Sequence, residues 1–187
     1  GLAAIGGKDS MSGTFQDINV PPTLISFACA NGEKKHVISP EFKKEGNKIY
    51  YFHHIPQQNG LPDYDKLKQV FGFIYENIKL QKIVSVKTVK EGGVAVALAK
   101  MSFGNKLGAD ISVDESFLLK KNIGSLIIES SSDLDCDVLE FIGDVKERVS
   151  LVINELDFRI SDLLKVWKGT FEELFPTVEK EKIVVEL

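Results

Sequence analysis

The chain has 187 residues, of which 43% are hydrophobic and 27% are charged, as in ordinary globular proteins. Its formal net charge is −4 and it lacks a long Lys/Arg run, which argues against a nucleic-acid surface. No segment approaches the ~18 consecutive apolar residues of a membrane span, and no signal peptide is recognisable. We therefore expect one domain in a cytoplasmic setting, with neither a nucleic-acid nor a membrane partner.

The two cysteines, Cys29 and Cys136, lie far apart in the sequence. Neither belongs to a CxxC or Cys/His pattern, so the sequence supports neither a disulfide framework nor a zinc site. The chain opens on Gly1 inside an apolar turn, and we expect it to be a piece of a longer polypeptide.

The densest group of polar residues lies near the N-terminus, from Gly6 to Ser12. Glycines let backbone N–H groups approach an anion, Lys8 supplies charge, and Asp9 can reach Mg²⁺ through water. The pattern is not a P-loop, because Leu2 and Asp9 stand where that motif needs Gly and Ser or Thr. The residues alone also allow a plain polar turn between a helix end and a strand.

The first half of the chain predicts strands separated by turns, and one clear helix. Val20-Pro21-Pro22 ends any regular element, and the apolar run from Thr23 to Ala30 favours a buried strand. The aromatic and β-branched run from Lys48 to Ile55 predicts a second strand. A helix begins at Pro62-Asp63, with apolar residues at helical spacing at Leu67, Val70, Phe71, Ile74 and Ile78.

The second half alternates strands with helices. Strands are predicted over 82–89, 107–113 and 125–129, and helices over 94–101 and 115–121. Residues 138–145 and 151–156 are predicted to pair as a hairpin across the charged turn Lys146-Glu147-Arg148. An apolar stripe from Ile160 to Leu174 predicts a last helix that ends before Pro176. This alternation indicates an α/β (α+β) sandwich with a mixed β-sheet.

Gly92 and Gly93 separate the predicted strand 82–89 from the helix that follows. Such a turn can seat an anion at a helix N-terminus, and it equally allows close packing of the helix on a sheet. His53 and His54 invite a metal interpretation, but adjacent strand residues point to opposite faces and do not easily share a ligand. We expect both histidines to be structural.

Several of these stretches together resemble phosphoribosylformylglycinamidine synthase. They are Gly7-Lys8-Asp9-Ser10-Met11-Ser12, the run from Pro21 to Ala28, the Gly92-Gly93 turn, and the segment from Leu164 to Pro176. The resemblance spans nearly the whole chain and favours a ligand site over a plain turn at the N-terminus. It implies a C-terminal domain of the aminoimidazole-ribonucleotide-synthetase type, with 1–20 as an entering loop, 21–176 as the domain and 177–187 as a linker.

The resemblance implies part of a large ATP-dependent ligase of purine biosynthesis. That enzyme converts formylglycinamide ribonucleotide, ATP and glutamine-derived ammonia to the amidine, by phosphorylating the amide oxygen. It has two related halves, and this chain corresponds to the C-terminal domain of the second, which in the family carries an auxiliary nucleotide site. The parent enzyme is thus expected to use ATP or ADP and Mg²⁺, with a preceding N-terminal domain and a downstream glutaminase as partners of this domain.

The chain departs from the family where the nucleotide's metal would be bound. Family members carry His-Asp-x-Ser-Asp-Gly-Gly before the helix, and here the run is Lys87-Thr88-Val89-Lys90-Glu91-Gly92-Gly93. Thr88 cannot supply a carboxylate to Mg²⁺, and Lys90 replaces a small hydroxyl with a long cation. Further on, Lys120-Lys121-Asn122 replaces an acidic stretch, so we expect its substrate contacts to be missing.

Three functions remain open at this point. The chain is a bracing or nucleotide-holding part of the synthase that is inactive alone, a purely structural module without a ligand, or part of another ATP-dependent synthetase of the same superfamily. We predict no catalytic residue and no metal ligand, and we expect self-association through faces that normally contact missing domains. The predicted nucleotide- or phosphate-binding residues are Gly7, Lys8, Asp9, Ser10, Lys90, Gly92 and Gly93.

Overall fold

The structure of the protein, a computed structural model, describes residues 4–10 and 13–176. It divides into two compact units, Gly1–Val37 and Ile38–Leu187. The first unit contains β1 (Ala4–Ser10), β2 (Gly13–Phe15), β3 (Ile18–Val20), β4 (Thr23–Ala28) and a short 3-10 helix, Lys34–His36. β1 pairs antiparallel with β4, and β2 pairs antiparallel with β3.

Two expectations for the first unit are wrong. Residues Ala4–Ser10 form a strand rather than a loop or turn, and Gly7 lies close to β4, since a Cβ there would be 2.9 Å from the Ile25 carbonyl oxygen. β4 is a strand as predicted, but all six of its residues are exposed, with Leu24 at 87%. β4 pairs only with β1 among the described strands, and a two-stranded sheet has no interior in which to bury apolar side chains.

The second unit is built on one seven-stranded sheet with the order β11-β10-β7-β9-β5-β8-β6. Only the β10–β7 pair is parallel, so the predicted mixed sheet is confirmed. The elements are β5 (Lys48–Phe52), α1 (Tyr64–Lys79), β6 (Ile83–Thr88), α2 (Gly93–Phe103), β7 (Gly108–Ile111), α3 (Glu115–Leu118), β8 (Leu126–Ser130), β9 (Leu139–Lys146), β10 (Ser150–Ile153), β11 (Leu156–Arg159) and α4 (Ile160–Gly169).

The central strands are covered on both faces, which explains their nearly continuous apolar sequences. In β5, Ile49 and Tyr51 join a core cluster with α2, whereas Tyr50 and Phe52 join a second cluster with α1. Successive strand residues point to opposite faces, so one strand supplies both clusters. α1 and α2 therefore pack on opposite faces of the sheet.

The two longer predicted helices begin where the sequence indicates. The Asp63 carboxylate accepts a hydrogen bond of 2.9 Å from the Lys66 backbone N–H and caps α1, which buries Val70 and Ile74. Phe71, placed in the same predicted stripe, is 45% exposed. α4 buries Ile160 but ends at Gly169, short of the predicted Leu174. None of the described helices is long and apolar enough to cross a membrane.

The predicted hairpin between 138–145 and 151–156 is wrong. Both strands exist, but β7 lies between β9 and β10 in the sheet and pairs with each of them. β10 instead forms a hairpin with β11, which the sequence analysis did not predict. The domain boundaries 1–20, 21–176 and 177–187 stay predictions, and the last of these segments lies outside the described residues.

Candidate anion-binding site

The segment between β6 and α2 contains the strongest predicted ligand residues of the second unit. The Val89 backbone N–H donates to the Ser125 carbonyl oxygen at 3.0 Å, which ties the end of β6 to the neighbouring loop. The Gly93 N–H donates to the Lys90 carbonyl oxygen at 3.1 Å and closes a tight turn. The turn thereby fixes where α2 begins and where the Lys90 side chain leaves the backbone.

Both glycines of this turn are required by the backbone. Gly92 and Gly93 have φ values of +83° and +64°, a region that L side chains rarely adopt. A Cβ on Gly93 would lie 2.4 Å from the Leu118 carbonyl oxygen, and one on Gly92 would lie 2.3 Å from a Val96 methyl group. These contacts support the close-packing interpretation and account for the glycines without a ligand. A ligand contact by Gly92 or Gly93 stays a prediction.

A small pocket of about 170 Å³ lies beside this turn. Its walls come from the end of β6, from the turn and from α2. Most of its polar lining is basic, and Glu91 is its single carboxylate. The lining residues are Lys87, Thr88, Lys90, Glu91, Val96, Ala97 and Lys100.

The lysines of this pocket have no carboxylate partner within the part of the chain that the structure describes. Glu91 is paired with Lys121, at 2.5 Å, instead. Lys100 Nζ lies 3.7 Å from the centre of the Trp167 ring on α4, a cation–π contact. Burial lowers the pKa of Lys100, and the positive charges of Lys87 and Lys90 lower this pKa further. The pocket is thus a site of concentrated, uncompensated positive charge.

Gly7, Lys8, Asp9 and Ser10 lie on β1, in the other compact unit. In the register with β4, Gly7 is opposite Ser26, Lys8 opposite Ile25 and Asp9 opposite Leu24. Lys8 is exposed. Their membership of one ligand site with Lys90, Gly92 and Gly93 stays a prediction. Met11 and Ser12, the end of the same sequence motif, lie outside the described residues.

The structural interpretation of the histidines is confirmed. His54 is buried, its Nδ1 lies 3.0 Å from the Ile123 carbonyl oxygen, and its Nε2 accepts from the Asp63 backbone N–H at 3.1 Å. Because Nε2 accepts, Nδ1 is the ring nitrogen that donates to the Ile123 carbonyl oxygen, and the ring joins the segment after β5 to the start of α1. His53 packs on Phe117 instead, with 4.3 Å between ring centres. Among the described residues, no group of three or more His, Cys, Asp or Glu side chains is placed to hold a metal ion.

Sequence reasoning identified Lys90 but missed Lys87, Lys100 and Trp167. Lys100 and Trp167 are separated by more than sixty positions and meet only because α4 packs beside α2. The single available signal was Lys90, which stands before Gly92 where the family carries a small hydroxyl residue. That signal marks a change of charge, but it does not locate the pocket.

Two curated sequence relatives of the chain are subunits of the same enzyme. No protein-family model matches the chain. It is 25% identical over 189 residues to phosphoribosylformylglycinamidine synthase subunit PurL of Methanocaldococcus jannaschii, covering 90% of this chain and 26% of that protein. The PurL subunit of Sulfurimonas denitrificans is 25% identical over 203 residues, covering 91% of this chain and 27% of the subunit.

Solved structures agree with these sequence relatives. Phosphoribosylformylglycinamidine synthase II of Thermotoga maritima superposes with a TM-score of 0.59 at 12% identity, over 75% of this chain and 28% of that one. The T. maritima PurLQS structure gives a TM-score of 0.60 at 12% identity, over 75% of this chain and 29% of that one. At this identity the structures show the shared fold. The resemblance and the fold class predicted from the sequence are both confirmed.

Proposed function

We propose that this chain, similar along most of its length to the PurL subunit of phosphoribosylformylglycinamidine synthase, is part of an ATP-dependent ligase of that type. The observation that carries the proposal is the sequence similarity over 90% of the chain, together with the shared fold. The chain spans about a quarter of the length of the curated relatives that it matches. The complete reaction, from formylglycinamide ribonucleotide, ATP and glutamine-derived ammonia to the amidine, is therefore proposed for a longer polypeptide.

Within that polypeptide we assign this chain an auxiliary role, which is to hold a nucleotide or to brace the assembly. Structures of T. maritima PurL contain ATP, ADP or AMPPCP, which supports a nucleotide as the ligand. The proposed contacts are Gly7, Lys8, Asp9 and Ser10 on β1, and Lys90, Gly92 and Gly93 at the turn before α2. The chain alone is expected to be inactive, because none of its described residues forms a recognisable base–nucleophile pair.

Magnesium is assigned to the parent enzyme and not to this site. Thr88 ends β6 where family members carry the carboxylate for the nucleotide's metal, and its neutral hydroxyl is a weak ligand for a hard cation. The pocket that Thr88 lines also contains three lysines, whose positive charges repel a divalent cation. The chemistry of this pocket suits an anion that arrives without metal.

The proposed partners are other domains of the same polypeptide, a preceding N-terminal domain and a downstream glutaminase. The exposed apolar side chains of β4 and of the segment after α4 support such contacts, among them Leu24, Phe27, Phe171, Leu174 and Phe175. The same surfaces favour self-association when the chain is alone. Light scattering should then show oligomers at high protein concentration, and a strict monomer would argue against the proposal. A cytoplasmic location is proposed with the biosynthetic role.

A purely structural module is the second candidate, and the Gly93 contact favours it. That glycine packs against the backbone at Leu118, so the turn has a structural reason to exist without a nucleotide. Membership of another ATP-dependent synthetase of the same superfamily is less well supported, because the sequence relatives described above are PurL subunits.

A calorimetric titration of Mg-ADP into the chain tests the proposal against the structural module. If the chain binds ADP, ligand at a hundred times its dissociation constant adds about 2.7 kcal/mol to the free energy of unfolding and raises the melting temperature by several degrees. Adenosine at the same concentration is the control for contacts to the base and sugar alone. Neither heat nor a melting shift with ADP would leave the structural module as the function of this chain.

A further inference from the structure

We infer that Lys87, Lys90 and Lys100 form a pocket that binds a phosphate group without a metal ion. The inference deepens the proposed function and rests on it only where the phosphate is said to belong to a nucleotide. Lys87 and Lys100 are not among the residues predicted from the sequence. The pocket is defined by its lining, from the end of β6 to the middle of α2.

Charge balance is the first argument. The protein is acidic, with a net charge of −4, and yet the lysines of this pocket have no carboxylate partner among the described residues. Glu91 is the one carboxylate in the lining, and it is engaged by Lys121. Ammonium groups held near one another repel, and a bound anion removes that repulsion. A phosphate dianion is attracted to all three lysines at once.

The size of the pocket selects the chemical class of the ligand. Sites for drug-sized ligands occupy about 300–1,000 Å³, and this pocket measures about 170 Å³. It has room for a single phosphate group and not for a complete nucleotide. Lysine suits such a ligand, because it binds phosphate as a point charge and needs no planar geometry. Thr88, also in the lining, offers a hydroxyl donor to the same group.

Trp167 restrains one of the three cations before a ligand arrives. Lys100 Nζ lies 3.7 Å from the centre of this ring, so part of the side-chain freedom that binding would remove is already lost. Trp167 is also the only tryptophan of the chain, so tryptophan emission comes from the ring that Lys100 contacts. An anion that draws Lys100 away from the ring, or screens its charge, changes that emission.

The test is a titration of the full chain with sodium phosphate in EDTA, at constant ionic strength maintained with sodium chloride. Binding is followed by Trp167 fluorescence and, independently, by calorimetry. The double variant Lys87→Gln/Lys100→Gln should weaken phosphate binding by about tenfold or more. Lys66→Gln/Lys68→Gln, on α1 at the opposite face of the sheet, makes the same charge change and should leave binding unchanged. Lys100→Arg keeps the charge and should retain binding even if the glutamine variant is poorly folded.

A parallel titration with ADP in EDTA separates a free phosphate from a nucleotide phosphate. Saturable phosphate binding that depends on Lys87 and Lys100 supports the pocket, and it does so even if ADP does not bind and the nucleotide proposal fails. The pocket is overturned if neither phosphate nor ADP binds saturably in EDTA. It is also overturned if the double lysine variant binds phosphate as tightly as the natural chain. ADP binding that requires Mg²⁺ and ignores these lysines would overturn the pocket while leaving the proposed function in place.

Discussion

Gly93 is a residue of the turn before α2 whose surroundings leave no room for a side chain. Its φ is +64°, and the space that a side chain would need is occupied by the backbone at Leu118 and Leu119. The contact joins the start of α2 to the end of α3. It therefore positions the turn that carries Lys90.

Gly93→Ala should destabilise the protein by at least about 2 kcal/mol, from the unfavourable φ and the clash with the Leu118 carbonyl oxygen. Gly72→Ala is the matched control, because Gly72 lies on the exposed side of α1, away from both helix ends. A Cβ there would meet no other part of the protein within 4 Å. That change should stabilise the protein by about 0.5–1 kcal/mol through helix propensity. Urea unfolding measures the change in the free energy of unfolding for each variant. Equal changes in the two variants would contradict a steric clash at Gly93.

Glu41 provides a pH-dependent contribution to stability. Hydrogen bonds from Lys43 Nζ, at 2.8 Å, and from the Ser39 hydroxyl, at 2.5 Å, lower the pKa of Glu41 from 4.5 to about 2. A carboxyl group with a lowered pKa stabilises the fold above the unfolded pKa, and this contribution is lost as the pH falls from 4.5 towards 2.

Glu41→Gln should therefore cost about 1 kcal/mol at pH 7, the size of a partly exposed ion pair, and nearly nothing at pH 2. Glu45→Gln removes an exposed carboxylate from the same loop and should have little effect at either pH. Urea unfolding midpoints at the two pH values give the comparison. A Glu41→Gln effect of equal size at pH 2 and pH 7 would show that the loss is one of packing and not of charge.

Single residues of the site were only partly predictable. Lys90 stood out because a family position normally occupied by a small hydroxyl carries a cation here, whereas Lys100 is an ordinary helix residue until Trp167 is placed over it. Glu129 shows the same limit. It sits in a predicted buried strand, and only the fold shows that its carboxylate accepts hydrogen bonds from the backbone N–H groups of Lys43 and Lys44 and from the Asn47 amide. Its burial raises the pKa of Glu129.

The hairpin of β10 and β11 is the element that the sequence concealed. Its two-residue loop, Asn154-Glu155, lacks the glycine that usually follows Asn in a hairpin turn, so Asn154 was the one turn residue that marked it. Both residues have positive φ, 47° and 72°, as a type I′ turn requires. The Asn154 side chain also bonds both backbone groups of Val113, at 2.9 and 2.7 Å, and so ties the hairpin to the end of β7.

Glu155→Gly should stabilise the protein by about 1 kcal/mol, because glycine adopts positive φ without the penalty that a Cβ brings. Glu147→Gly, in the loop between β9 and β10, is the control, since its φ is not positive and the change adds only chain flexibility. Thermal melting of the two variants should shift in opposite directions. A fall in the melting temperature with Glu155→Gly would contradict the type I′ assignment.

The positions of strands and helices were predicted well where the local sequence signal is strong. The pairing of the strands was not predicted well. The apolar runs of β5 and β8 and the cap at Asp63 are local signals, and the structure has these elements close to the predicted positions. The wrong hairpin between β9 and β10 has a non-local cause. β7, which precedes both strands in the sequence, inserts between them, and adjacency in sequence favours neighbouring strands without dictating them.

The molecule as a whole combines a well-packed sheet with apolar surfaces that remain exposed. The chain spans about a quarter of its curated relatives, and in the proposed longer polypeptide other domains would contact exposed residues such as Leu24 and Phe175. The apolar sequence of β4 predicted a buried strand. An apolar run does not say whether the surface that covers it belongs to the same domain or to another one. The proposed role as one part of a larger ligase explains this exposure.

The most direct test is the dependence of ADP binding on magnesium, compared between the natural chain and the variant Thr88→Asp/Lys90→Ser. This variant restores the carboxylate and the small hydroxyl that family members carry. The dissociation constant of ADP, measured by calorimetry in Mg²⁺ and in EDTA, should be nearly the same for the natural chain. For the variant, the dissociation constant should be at least about tenfold larger in EDTA than in Mg²⁺, because a carboxylate needs the metal to hold phosphate. Loss of ADP binding by the natural chain in EDTA would contradict metal-free binding of a nucleotide phosphate.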